Sequence, residues 1–278
     1  MSTPVSTLDS VFATARAENR AALVGYLPAG YPSVQGGIDA IVAMVRGGVD
    51  IVEVGLPYSD PLMDGPTIQQ AVEAALQTGT TTEDVLDTVR GVAATGAPTL
   101  VMSYWNPIER YGVRRFADAM VDAGGAGVIT PDLTPDEAGR EPSDWLAASE
   151  ATGLGRVFLV APSSTDDRLR YTAEHCRGFV YAASTMGVTG ARASVGKAAA
   201  RLVERTRSVT DLPVCVGLGV STGEQAAEVA SFADGVIVGS AFVRVLLDAE
   251  SPQAGEKALA TLAAELADGV RAARAAPR

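Results

Sequence analysis

Three carboxylates, Glu53, Asp60 and Asp64, fall within twelve positions in the stretch VEVGLPYSDPLMDGPTIQQA, residues 52 to 71. Glu53 sits in an apolar run, where alternation puts Val52 and Val54 on one face and the acid on the other. An unpaired carboxylate buried in such a strand costs several kcal/mol when ionised, so either its pKa rises or it meets a partner. A glutamate with a raised pKa is suited to giving and taking protons near neutral pH. Asp64 follows eleven residues later, beyond a loop stiffened by Pro57, Pro61 and Pro66. That loop is long enough to bring a second acid back toward the first. Asp60 taken alone reads as a turn residue.

A second set of residues points to an anion. Gly187 to Gly190, then Gly217 and Gly219, then Gly239-Ser240 each follow an apolar run. Glycine lets a backbone approach a phosphate closely, and a helix beginning near Ser240 adds a partial positive charge. No GxxxxGK[ST] occurs, so a nucleoside-triphosphate loop is not the explanation.

The elements that must position these groups alternate. Apolar runs read as strands in AALVGYL, VDIVEVG, PTLVMSY, AGVITPD, GRVFLVAP, GFVYAAS, LPVCVGLG and ADGVIVGS, with amphipathic stretches between them. Leu8, Val11, Phe12 and Ala15 share a face of a helix ahead of the first strand. A helical pair is expected over 67–94, broken at Thr80–Thr82, and Ser221 to Glu224 reads as a capping box. Eight alternations in 278 residues predict an α/β fold, a TIM (β/α)8 barrel with an extra N-terminal helix, as a single domain over 1–278. In such a barrel the chemistry lies where the strands exit, which is where the glycines and the acid loop fall. AARAAPR at the end reads as a frayed tail.

Composition narrows the partners. A net charge of −11 argues against nucleic acid or an anionic membrane, but not against a small phosphorylated ligand. Cys176 and Cys215 form no CxxC pair, which suggests a reducing compartment and no structural zinc. His175, the only histidine, reads as a surface or cap residue, and no metal site is expected. With no signal-peptide pattern and no apolar run near ~20 residues, a cytoplasmic protein is expected.

The stretch around Glu53 resembles the signature of the tryptophan synthase alpha subunit family, and the likeness continues in order along the chain. GYLPAGYP, SYWNPIERYG, VITPDLTPDE, YAASTMGVTGAR, VGLGVST and VIVGSAF each resemble a family loop. The resemblance implies a retro-aldol lyase that cleaves indole-3-glycerol phosphate to indole and glyceraldehyde 3-phosphate with no cofactor of its own. It also implies a pyridoxal-phosphate beta subunit that receives indole through a tunnel, in an alpha–beta–beta–alpha heterotetramer.

By the same resemblance Glu53 is the general acid–base and Asp64 the second catalytic acid. Tyr26 and Val160 fall at indole-pocket positions. Tyr181 and Thr189 match residues that support the substrate and tie the sixth loop to Asp64. Gly190, Gly219, Gly239 and Ser240 match the phosphate site, and Asp60 and Asp132 match loop positions facing the beta subunit. Pro28, Ser184-Thr185-Met186 and Leu218 depart from common family residues, which bears on pocket shape and loop closure.

Three rival readings remain. One is a stand-alone indole-releasing lyase. Another is a different phosphate-binding barrel such as indole-glycerol-phosphate synthase, which needs a lysine at a strand exit; Lys197 and Lys257 lie elsewhere. The last is a silent scaffold, which predicts that an acid or a glycine has been lost.

Overall fold

The computed structural model describes residues 7–139, 144–183 and 192–273, with side chains in the last segment from residue 196. The sheet is wholly parallel, in the order β5-β4-β3-β2-β1-β9-β8-β7-β6. Its strands are β1 (Ala22–Pro28), β2 (Ile51–Gly55), β3 (Thr99–Met102), β4 (Gly127–Ile129), β5 (Gly155–Val157), β6 (Leu159–Val160), β7 (Val180–Ala183), β8 (Val214–Gly217) and β9 (Gly235–Val238). All eight expected apolar runs contain strand. β5 and β6 are halves of the fifth run: β5 pairs with β4 and β6 with β7. Between them the Phe158 carbonyl accepts the Tyr181 N–H at 3.2 Å, so the eight-stranded barrel closes through that residue.

The strands are apolar on both faces because both are covered. Inside, Ala22, Val24, Ile51, Leu100, Ile129, Val157, Phe179, Cys215 and Ile237 form one buried cluster. The expected N-terminal helix, α1 (Thr7–Ala17), joins it through Leu8, Phe12 and Ala15, with the Phe12 ring tilted against that of Phe179, centroids 5.9 Å apart. Burying an aliphatic side chain of this kind contributes about 1.5–3 kcal/mol. Since α1 packs at the start of the strands, it fills the floor of the barrel and leaves the strand exits open.

Outside lie α2 (Val34–Arg46), α3 (Pro66–Gln77), α4 (Thr82–Ala93), α5 (Trp105–Tyr111), α6 (Val113–Asp122), α7 (Pro135–Ala138), α8 (Trp145–Thr152), α9 (Asp166–His175), α10 (Arg192–Arg207), α11 (Gly223–Ala230), α12 (Ser240–Leu247) and α13 (Pro252–Ala272). The break expected at Thr80–Thr82 is a capping box, Thr81 with Asp84, that opens α4. The cap of α11 differs from expectation. Thr222, not Ser221, accepts the Gln225 N–H, and Ser221 bonds the Gln225 side chain instead. The frame therefore starts one residue later, at the residue with extended backbone. Residues 274–278 of the expected frayed tail lie outside the described residues.

Candidate active site

Glu53 lies two residues past Ile51 on β2, and so shares the face that Ile51 presents to the inner cluster. Alternation in the sequence left two faces open; the register decides for the barrel interior. The residue is 1% exposed, and its Oε1 has no hydrogen-bond partner among the described residues. Burial pushes its pKa up to about 8, so at neutral pH the side chain carries a proton.

Asp64 ends the loop that leaves β2. Its half-buried carboxyl accepts a hydrogen bond from the Tyr104 hydroxyl at 3.2 Å. The same hydroxyl accepts the Met63 N–H at 2.9 Å, so one phenol at the exit of β3 holds two consecutive loop residues. Gln69, in the first turn of α3, donates to the Asp64 carbonyl at 2.7 Å. Burial raises the Asp64 pKa and the Tyr104 hydrogen bond opposes it. Tyr58, its ring tilted against Tyr104 with centroids 5.6 Å apart, accepts from the Asn106 amide and pins the start of the loop.

Two tyrosines line the interior near Glu53. Tyr26 is its Cα partner on β1, and Tyr181 on β7 lies two residues past Phe179. Each ring needs a missing side chain. A Cβ on Gly55 would lie 2.3 Å from the Tyr26 hydroxyl oxygen, and one on Gly217 would lie 2.7 Å from that of Tyr181. Burial first, then the Asp64 and Glu53 carboxylates, push the Tyr26 phenol well above its usual range. Burial and Glu53 do the same to Tyr181. Both tyrosines thus sense Glu53, and Tyr26 senses both acids.

On its other side the Tyr26 ring meets Gly239, where a Cβ would lie 3.4 Å from Cδ1. Gly239 is the N-cap of α12, with no side-chain cap, and exposed Ser240 follows it. Among the described residues no side chain caps the first N–H groups of α12, and an uncapped helix N-terminus suits an anion. At the next exit Gly219 has φ 67°, in the left-handed region that favours glycine. One aromatic ring thus separates the acid strand from the N-terminus of α12.

The remaining expected residues fall as follows. Val160 is buried at the end of β6, paired with Ala182; Leu159 beside it packs against the inner cluster. Thr189, Gly190 and Ser184 to Met186 lie outside the described residues. Asp60 is exposed on the β2 loop and accepts from Ser59, and Leu62 and Met63 stand out beside it, 77% and 57% exposed. Asp132 accepts the Trp105 N–H at 2.9 and 3.1 Å, capping α5 from a neighbouring loop. His175 ends α9, its Nδ1 2.8 Å from the Tyr171 carbonyl oxygen, in keeping with a cap residue. Among the described residues no cluster of His, Cys, Asp and Glu could hold a metal ion, and no helix is long and apolar enough to cross a membrane.

Sequence reasoning missed Tyr104 and Gln69. Tyr104 stands in SYWNPIERYG, but its link to Asp64 spans 40 positions and leaves no local pattern.

A family model described as Tryptophan synthase alpha chain matches residues 12–271. The Tryptophan synthase alpha chain of Thermobifida fusca is 61% identical over 264 residues, covering 94% of this chain and 96% of that one. That of Salinispora tropica is 60% identical over 267 residues, covering 96% and 98%. Among solved structures, a Mycobacterium tuberculosis tryptophan synthase superposes with a TM-score of 0.87 at 55% identity, covering 96% of this chain and 99% of that one. Tryptophan synthase subunit alpha from Legionella pneumophila gives 0.83 at 32% identity, covering 95% and 98%. Matched nearly end to end by that family model and by these relatives, the chain belongs to the tryptophan synthase alpha chain family.

Proposed function

We propose that Glu53 and Asp64 carry the lyase reaction of this family, the retro-aldol cleavage of indole-3-glycerol phosphate to indole and glyceraldehyde 3-phosphate. The observation that supports it best is a buried, protonated glutamate on the inner face of a strand, one tyrosine ring away from an uncapped helix N-terminus.

Cleavage of the bond between indole C3 and the glycerol chain requires C3 to be protonated, so that the bond's electron pair has somewhere to go. Glu53 starts with a proton and delivers it to C3. A positive charge then develops on the ring nitrogen, and Asp64, accepting the N–H, offsets it. As the C–C bond breaks, the glycerol hydroxyl becomes the aldehyde and its proton passes to the Glu53 carboxylate. The acid returns to its starting form, and the step calls for no cofactor in this chain. Tyr26, Val160 and Tyr181 flank the indole and the triose. Gly190, Gly219, Gly239 and Ser240 hold the phosphate through backbone N–H groups, with Thr189 tying the β7 loop to Asp64.

The partner in this reading is a pyridoxal-phosphate beta subunit in an alpha–beta–beta–alpha assembly. Exposed Leu62 and Met63 beside Asp60 support a docking role for the β2 loop, with Asp132 on a neighbouring exit. Residues 1–278 form one barrel domain in this reading, and two buried free cysteines fit the cytoplasm. The test is to mix the protein with indole-3-glycerol phosphate, with and without beta subunit, and measure free indole. Glu53→Gln and Asp64→Asn each lower the rate by about 10²- to 10⁴-fold while binding beta subunit normally. Near-normal turnover in either variant overturns the assignment.

A further inference from the structure

The loop carrying Asp64 ends in a helix that opens on Pro66 but has no side-chain cap. Gly65 caps α3 without a side chain, and its first turn holds no acidic residue. A helix lacking a local cap leaves its opening turn to be fixed by tertiary contacts. Here the contact comes from α12, which packs against α3. Arg244, in the last turn of α12, donates from Nη2 to the Oγ1 of Thr67, the second residue of α3. Thr67 is 9% exposed, three residues after Asp64, and Gln69 in the same turn holds the Asp64 carbonyl. The guanidinium lies at the C-terminal end of α12, where the helix dipole favours a cation. The opposite end of that helix, at Gly239 and Ser240, is the anion seat.

We propose that Arg244 is a positioning residue. Through Thr67 it fixes the first turn of α3 and thereby sets Asp64 over the barrel mouth, referenced to the helix that seats the phosphate. The inference rests on the reading that Asp64 acts in the cleavage. Arg244 donates to α3 and lies at the end of α12 remote from the seat, so losing it displaces an acid needed in the transition state and leaves phosphate affinity in place. Such a loss appears in kcat rather than in KM.

The experiment measures kcat and KM for indole-3-glycerol phosphate in Arg244→Met, Thr67→Val, the double variant and Arg244→Lys, with Asp64→Asn as a control. A displacement of about 1 Å at a catalytic group costs up to about 10²-fold, so kcat in Arg244→Met is expected to fall about 10- to 100-fold, with KM changed less than about threefold. Thr67→Val shows the same loss, the double variant is no worse than either single one, and Arg244→Lys regains part of the rate. Unchanged kcat, a change in KM alone, or losses that multiply in the double variant overturn the proposal. A dead Asp64→Asn beside a fully active Arg244→Met sinks only this linkage. An active Asp64→Asn sinks the role of the acid itself, and the linkage with it.

Discussion

Tyr26 and Glu53 are Cα partners across the β1–β2 ladder, and the Tyr26 ring fills the space that Gly55 and Gly239 leave beside it. A strand partner with an aromatic side chain thus becomes a spacer between the buried glutamate and the start of α12. Gly55 on one side is fixed in the parallel ladder, paired with Pro28 and Met102, and Gly239 on the other opens α12.

The buried glutamate ties stability to pH. Its ordinary pKa is 4.5 and its folded value is about 8. Between those values the folded chain keeps a proton that the unfolded chain has released, so stability falls as pH rises, by up to about 1.4 kcal/mol per pH unit. The penalty is absent below 4.5 and complete above 8. Glu53→Gln cannot ionise and should gain on the parent protein from pH 5 to pH 8, read as a widening gap between urea midpoints. A constant gap would mean that the glutamate ionises as freely as in water.

Tyr104→Phe removes the donor to Asp64 and the acceptor for the Met63 N–H while keeping the ring. That hydrogen bond favours the carboxylate, so without it the Asp64 pKa rises further. The acidic limb of kcat/KM should move to higher pH, with the plateau rate down about tenfold if loop placement costs about 1.4 kcal/mol. A pH–rate profile superimposable on that of the parent protein would separate Tyr104 from the acid.

The glycines beside the tyrosines give a rank order. Gly55→Ala brings a Cβ to 2.3 Å from the Tyr26 hydroxyl, and Gly217→Ala to 2.7 Å from that of Tyr181. Each ring has to move, at a cost of about 1–3 kcal/mol for overpacking. Both should lose kcat/KM and melting temperature, Gly55→Ala more than Gly217→Ala. Equal or reversed losses would show that the rings are not held by these gaps.

In the outer helical layer, α13 crosses the start of α11 so closely that a Cβ on Gly269 would lie 2.1 Å from the Gly223 carbonyl oxygen. Gly269→Ala should therefore destabilise the protein by about 1–3 kcal/mol, seen in denaturant melts, with kcat unchanged at low temperature. A loss of kcat without a loss of stability would contradict the purely structural role of that crossing.

The alternation of strand and helix was readable because parallel barrel strands are apolar on both faces, and Glu53 stood out as an acid inside such a run. Which face it takes was not readable: periodicity distinguishes two faces but only the closed sheet says which is inside. The split of the fifth strand was equally hidden, since Phe158 is a good strand residue and the break comes from pairing on either side. Asp132 shows the reverse case, a residue matched to a loop position whose carboxylate caps α5 across 27 positions. Tyr104, Gln69 and Arg244 act through contacts that sequence spacing does not encode.

With the Phe12 and Phe179 rings tilted against each other at the base of the inner cluster, the barrel is a cup rather than a pipe. The strand exits are therefore the side from which Glu53 is approached. The lip carries the Tyr104-pinned loop, so a partner seated on Leu62 and Met63 would govern entry and exit together.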